Sequence, residues 1–164
     1  MPGLQGQARN AMPRSRRSRW RNNATWQARL ERDRQTIDQR LSDEQKEVLT
    51  SIPQMFEDVH PQDQLHLDFV LVYGSYARGD HRGDSDLDIY FEATLPERFR
   101  EEPFNRVDQG RHFQVFGPLR NTLLGGLRNG ENFGRGVANE SLVFADEEGW
   151  FRNVLIVADE DGLL

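Results

Sequence analysis

Val72-Tyr73-Gly74-Ser75-Tyr76-Ala77-Arg78-Gly79-Asp80, followed by His81-Arg82-Gly83-Asp84-Ser85-Asp86-Leu87-Asp88-Ile89, is the stretch on which the reading of this chain turns. Just upstream, Phe69-Val70-Leu71-Val72-Tyr73 is an unbroken apolar and aromatic run. That is the pattern of a strand covered on both faces, and it predicts a strand over 65–73. Gly74-Ser75 ends it sharply. From 86 to 92, Asp86, Asp88, Tyr90 and Glu92 alternate with Leu87, Ile89 and Phe91. A period of two puts the polar-tipped residues of this second strand on one face and the apolar ones on the other.

Each part of the stretch has a chemical use. Gly74 lacks a Cβ, so the backbone there can approach a ligand closely. Ser75 offers a hydroxyl and an N–H at the expected start of a helix, where phosphate binds readily. Arg78 brings a cationic fork toward phosphate oxygens. Asp86 and Asp88, two apart on a strand, project to one side with backbones about 6–7 Å apart. Two hard carboxylates on one face suit Mg²⁺, with nucleotide phosphates completing the shell. Such a site can hold two metals and activate an attacking oxygen for in-line displacement.

Outward from this centre, a third strand is expected at 111–116. A short helix follows with Leu119, Leu123, Leu124 and Leu127, closed by Gly130. Residues 131–140 are ambiguous, because Gly134 and Gly136 weaken a helix. A short strand fits 141–145. Trp150, Phe151, Val154, Leu155 and Ala158 fit a final helix, with Trp150 and Phe151 in the core and Gly162 past its end; a strand over 154–157 is the competing reading. The acidic runs 146–148 and 159–161 read as solvated ends. Upstream, Trp26, Leu30, Ile37 and Leu41 form a thin apolar stripe, expected on a surface helix. Ser42 and Gln45 form a capping box that opens a second helix, and Pro53 is expected to kink or restart it. The division expected is a disordered Arg-rich tail over 1–23, N-terminal helices over 24–60, and the main domain over 61–164.

Composition narrows the classes further. The chain has 164 residues, no cysteine and a formal charge of −6. Disulfides, thiol catalysis and thiolate zinc sites are excluded. No apolar run suits a membrane helix and the N-terminus has no signal-like apolar region, so a cytoplasmic protein is expected. Charge is unevenly spread: residues 1–40 hold ten Arg against Glu31, Asp33 and Asp38, whereas the remainder nets −13. The Arg run at 14–21, with Trp20 and Trp26 beside it, is either a solvated arm or a nucleic-acid contact. Both Arg-Gly-Asp tripeptides, at 78–80 and 82–84, read as loop composition. His60, His66, His81 and His112 show no zinc-like spacing and read as structural.

The stretch 67–92 resembles the minimal nucleotidyltransferases of the DNA polymerase β-type superfamily. The likeness rests on an apolar strand, Gly74-Ser75, ten intervening residues, and then Asp86-Leu87-Asp88, with Ala77-Arg78-Gly79 and Ser85 matching the minimal group. It implies an α/β (α+β) nucleotidyltransferase fold: a small mixed β-sheet flanked by helices, here with an N-terminal helical extension. It implies Asp86 and Asp88 as catalytic and metal-holding residues, and Gly74, Ser75, Arg78 and Ser85 as nucleotide-binding ones. Cofactor and substrate would be Mg²⁺, at a two-metal site, and ATP or another NTP. The resemblance further implies a small helical HEPN-type protein partner in a toxin–antitoxin pair, with AMP transferred to that partner. An RNA acceptor reached through the Arg-rich arm is the alternative, and a catalytically weak nucleotide-binding module is another. The family carries a third carboxylate on the next strand; the matching position here is Gln114, with Asp108 upstream as a substitute and Glu92 too far along its strand. An amide cannot act as a general base.

Overall fold

The structure, a computed structural model, describes residues 16–57, 66–94, 113–116 and 122–164. His60, Asp108 and His112 lie outside the described residues, as do residues 1–15 of the expected tail. The elements run α1 (Asn23–Arg40), α2 (Asp43–Glu57), β1 (His66–Tyr73), α3 (Ser75–Arg78), β2 (Leu87–Thr94), β3 (Phe113–Phe116), α4 (Leu123–Arg128), α5 (Asn132–Glu140), β4 (Leu142–Ala145) and α6 (Trp150–Glu160). A four-stranded mixed sheet has the order β3-β2-β1-β4. β1 is antiparallel to both β2 and β4, and β2 is parallel to β3. Among the described residues no helix is long and apolar enough to cross a membrane. The architecture is the mixed α+β fold expected from the sequence.

The period-two reading of β2 explains how the layers form. Leu87, Ile89 and Phe91 pack with Val70 and Val72 of β1 against Ile37, Leu41, Leu49 and Ile52 of α1 and α2. On the other face Tyr90, Phe69 and Leu71 pack with Phe151, Val154 and Leu155 of α6 and with Leu123 and Leu127 of α4. Burial of large side chains on both faces contributes roughly 1.5–3 kcal/mol each.

Several expectations are corrected by this packing. Residues 16–23, read as the end of a disordered tail, are built into the fold. Ser18 and Trp20 are buried, and a 3-10 turn covers Arg19–Arg21. Trp20 meets Trp26 edge-on with ring centroids 5.7 Å apart, and Arg152 Nε donates to the Trp20 carbonyl at 2.8 Å. The thin stripe of α1 is thickened by polar residues: Arg29 and Asp33 are buried beside Trp26 and Ile37. Asp33 Oδ2 accepts from Arg29 Nε at 3.3 Å and from Val143 N–H at 3.0 Å, and Arg29 Nη2 donates to the Ser141 carbonyl at 3.1 Å. The helix therefore lies against β4 rather than on an open surface.

α2 runs through Pro53 without interruption, because Leu49 and Ile52 anchor the preceding turn in the core. α5 forms despite two glycines. Gly134 seats against α4, where a Cβ would already stand 3.4 Å from Leu127 N. Trp150, expected in the core, is 50% exposed and donates to Glu148 Oε2 at 3.1 Å. The buried face of α6 is set by Phe151, Val154, Leu155 and Ala158, which leaves Trp150 out of phase. Asp146, read as a solvated end, accepts from the N–H groups of Phe151 and Arg152 at 3.0 Å and caps α6.

Candidate active site

β1 delivers the chain into a sharp reversal. Gly74 has φ +71° and ψ −150°, a conformation open to glycine and costly for other residues. One turn of helix, α3, follows, and Gly79 at φ +85° closes it. The register sets Tyr73 opposite Asp88, so the first turn of β2 returns directly beside the end of β1. Space is short there. A Cβ on Gly74 would fall on Asp88 Oδ2 and lie 3.0 Å from its Cγ. Gly74 is thus required twice, by its dihedrals and by the carboxylate pressed against its backbone.

The first intrahelical bond of α3 runs from Arg78 N–H to the Gly74 carbonyl at 3.0 Å. Helix geometry leaves the N–H groups of Ser75, Tyr76 and Ala77 ahead of it, pointing out of the turn. Asp88 lies within electrostatic reach of both Asp86 and Arg78. Partial burial and the Asp86 charge push its carboxyl above the usual range, and Arg78 opposes them. Tyr73 is close to the same carboxylate: burial first, and then the Asp88 charge, raise its phenol well above the ordinary value. Among the described residues neither Asp86 nor Asp88 accepts a hydrogen bond or pairs with a cation within 4.0 Å.

Of the sequence-predicted site residues, Gly74, Ser75, Arg78, Asp86 and Asp88 meet at this one end of the sheet. Arg78 is exposed, and its guanidinium bridges Asp80 Oδ2 and Glu140 Oε2, each at 3.3 Å. Exposed ion pairs of this kind are worth about 0–1 kcal/mol, so a polyphosphate can draw the side chain away. Ser85 serves the turn before β2: its Oγ accepts from Arg82 N–H at 2.7 Å. The β2–β3 register pairs Asp88 with Gln114, so the expected amide position adjoins the Asp-x-Asp strand. Glu92 lies away from the pair. Buried beneath α4, it accepts from Leu123 N–H at 3.1 Å, and burial raises its carboxyl to about 7.

Sequence reading missed Arg40. This residue at the end of α1 sends Nη1 to the carbonyls of Tyr76 at 3.0 Å and Ala77 at 2.7 Å, the C-terminal end of α3. Gly79 makes room for it: a Cβ there would stand 3.0 Å from Arg40 Nη2. The turn that offers its N–H groups to a ligand is therefore braced from behind by a helix 36 residues upstream. No local pattern announces this, because the partners are backbone carbonyls.

An apolar strand ending in a Gly–Ser turn, faced by an Asp-x-Asp strand, defines a nucleotidyltransferase-type site. Residues 56–116 match the family model for the nucleotidyltransferase domain. Over that segment the chain is similar to the nucleotidyltransferase domain, consistent with a minimal member of the DNA polymerase β-type superfamily. The match takes in β1, α3, β2 and β3, and hence every predicted site residue. No curated protein matches the chain.

The donor set fits Mg²⁺. Asp86 and Asp88 offer hard carboxylate oxygens, and the charge of Asp86 reaches Asp88. Among the described residues no cluster of three or more His, Cys, Asp or Glu is arranged to hold a metal. Oxygens from the nucleotide would have to complete the shell.

Proposed function

We propose that the protein is a Mg²⁺-dependent nucleotidyltransferase that moves a nucleoside monophosphate, AMP from ATP, onto an acceptor. The observation that carries this is the Asp86/Asp88 pair, whose carboxylates have no hydrogen bond among the described residues, with Asp88 pressed against the Gly74 turn. Asp86 and Asp88 would hold the metal, which when bound neutralises phosphate charge and polarises the reacting phosphorus. The N–H groups and hydroxyl of the Ser75 turn bind the triphosphate, Ser85 adds a hydroxyl, and Arg78 swings from Glu140 and Asp80 onto phosphate oxygens. An acceptor oxygen then forms a bond to the α-phosphorus. The bond to the bridging oxygen breaks, pyrophosphate leaves with the electron pair, and the acceptor's proton passes to solvent.

The resemblance supports a small helical HEPN-type protein as acceptor and partner, with this chain as the antitoxin of the pair, acting in the cytoplasm where ATP and Mg²⁺ are supplied. The test is transfer of label from α-labelled ATP in cell lysate, with and without Mg²⁺, for the wild type and an Asp86→Ala/Asp88→Ala variant. Label on a discrete protein band, lost in the variant and without Mg²⁺, supports the reading. No transfer by the wild type from any of the four NTPs sinks it.

One register observation favours a second reading, a nucleotide-binding antitoxin that neutralises its partner by contact. Gln114 stands beside Asp88 where a third carboxylate would assist deprotonation of the acceptor. ATP binding without transfer, combined with partner binding that survives Asp88→Asn, is the outcome specific to it.

A further inference from the structure

We propose that the cavity between the 3-10 turn and the ends of α5 and α6 binds the phosphate backbone of a nucleic-acid strand. The cavity has a volume of about 430 Å³, and Arg16, Arg17, Arg19, Arg29, Asn139 and Asp159 are among its lining residues. Four arginines thus share the lining with one acidic side chain, Asp159.

The arginines differ in what they already hold. Elsewhere, Arg21 pairs with Glu160, Arg34 with Glu31, and Arg78 with Asp80 and Glu140. Among the described residues no carboxylate lies within ion-pair distance of Arg16, Arg17 or Arg19. Arg19 instead lies over the Trp20 ring at 4.2 Å. Arg29 is 8% exposed, and Asp33 is its one ion-pair partner among the described residues. Burial disfavours its charge, and the Arg32 and Arg19 cations add repulsion. A buried cation with one carboxylate partner, and three cations that form no ion pair among the described residues though Arg17 acts on Glu160, are stabilised together by an anion. Arginine forks suit phosphate oxygens, and neutralising several phosphates is how nucleic-acid backbones are held.

The place in the fold gives the site a direction. Asn139 lines the cavity, Glu140 holds Arg78 of the Gly–Ser turn, and the Ser141 carbonyl accepts from Arg29. Three successive residues at the end of α5 therefore join the cavity to the candidate active site. This goes beyond the transfer reading and does not depend on it, because binding is measured without nucleotide or metal.

The experiment uses the full chain and a fluorescein-labelled, single-stranded 12-nucleotide RNA, with anisotropy read over a series of salt concentrations. Compared are the wild type, Arg17→Glu/Arg19→Glu, and Arg34→Glu/Arg128→Glu, which makes the same charge change elsewhere. Arg16→Gln/Arg17→Gln provides a milder variant should the first lose its fold by circular dichroism. Affinity is expected to fall at least tenfold in the cavity variants only, with the slope of log K against log salt reduced by about 1.4 in Arg17→Glu/Arg19→Glu. Equal losses in the cavity and control variants would assign binding to diffuse charge and overturn the proposal. So would a wild type that holds the RNA no better than Arg17→Glu/Arg19→Glu does. A wild type that transfers AMP to a protein but binds no RNA would overturn this inference and leave the transferase reading standing.

Discussion

Asp33 and Asp88 are two aspartates set against the same sheet, and their surroundings differ in every respect. Asp33 is almost fully buried and accepts from Arg29 and from Val143 N–H. Asp88 is half-buried, receives no hydrogen bond among the described residues, and has Asp86 for a neighbour, which raises its proton affinity. One carboxylate is satisfied by the fold and holds α1 to β4. The other is left under-satisfied by the fold, as befits a group that completes its bonding with a ligand. The comparison separates a structural charge from a chemical one without reference to motif.

Substitution is the way to break that comparison. Asp88→Asn is expected to lower transfer by about 10³-fold or more, since several kcal/mol of charge stabilisation are lost. It should leave the melting temperature unchanged or raised, because a like-charge contact is relieved. Asp33→Ala should do the opposite. It strands the buried Arg29 and costs about 3–5 kcal/mol by urea unfolding, whereas the apolar pair Arg29→Met/Asp33→Leu recovers most of that loss. If Asp88→Asn destabilised as much as Asp33→Ala, the distinction would be wrong.

Glu92 stands between the two, buried with a hydrogen bond from Leu123 N–H and with Asp68 in electrostatic reach. Burial lifts its carboxyl from 4.5 to about 7 in the folded protein. Between those values the fold keeps a proton that the unfolded chain has released. Stability is therefore greatest below the unfolded value and falls as pH rises through about 7, by about 2–3 kcal/mol at most. Urea midpoints at pH 5 and pH 8 check this, and Glu92→Gln should flatten the difference. The smallest effect belongs to Arg40→Ala. Loss of its bonds to the Tyr76 and Ala77 carbonyls should raise the KM for nucleotide about tenfold, with kcat at saturation largely kept.

What was legible in the sequence was what is local. β1 and β2 announce themselves by an apolar run and by strict alternation, and the Gly–Ser and Asp-x-Asp pieces sit at the ends of those strands. The missed features depend on partners far along the chain. Trp20 is hidden among arginines in sequence, and its burial comes from Trp26 and α6. α1 looked thin because Arg29 and Asp33 count as surface residues until paired. α5 looked weak because its packing against α4, close at Gly134, is invisible in the local pattern. Arg40 carried no signal at all, since carbonyls have no sequence.

The contact between Gly74 and Asp88 also constrains how the chain can change over generations. A side chain gained at position 74 collides with the carboxylate, so that step is blocked while Asp88 stays, and the positive φ still opposes it once Asp88 has gone. Once both have changed, restoring the aspartate alone is blocked by the newcomer. Loss of the site therefore works as a ratchet with a fixed order. A lineage that keeps the glycine after losing the aspartate is caught part-way, with the route back still open.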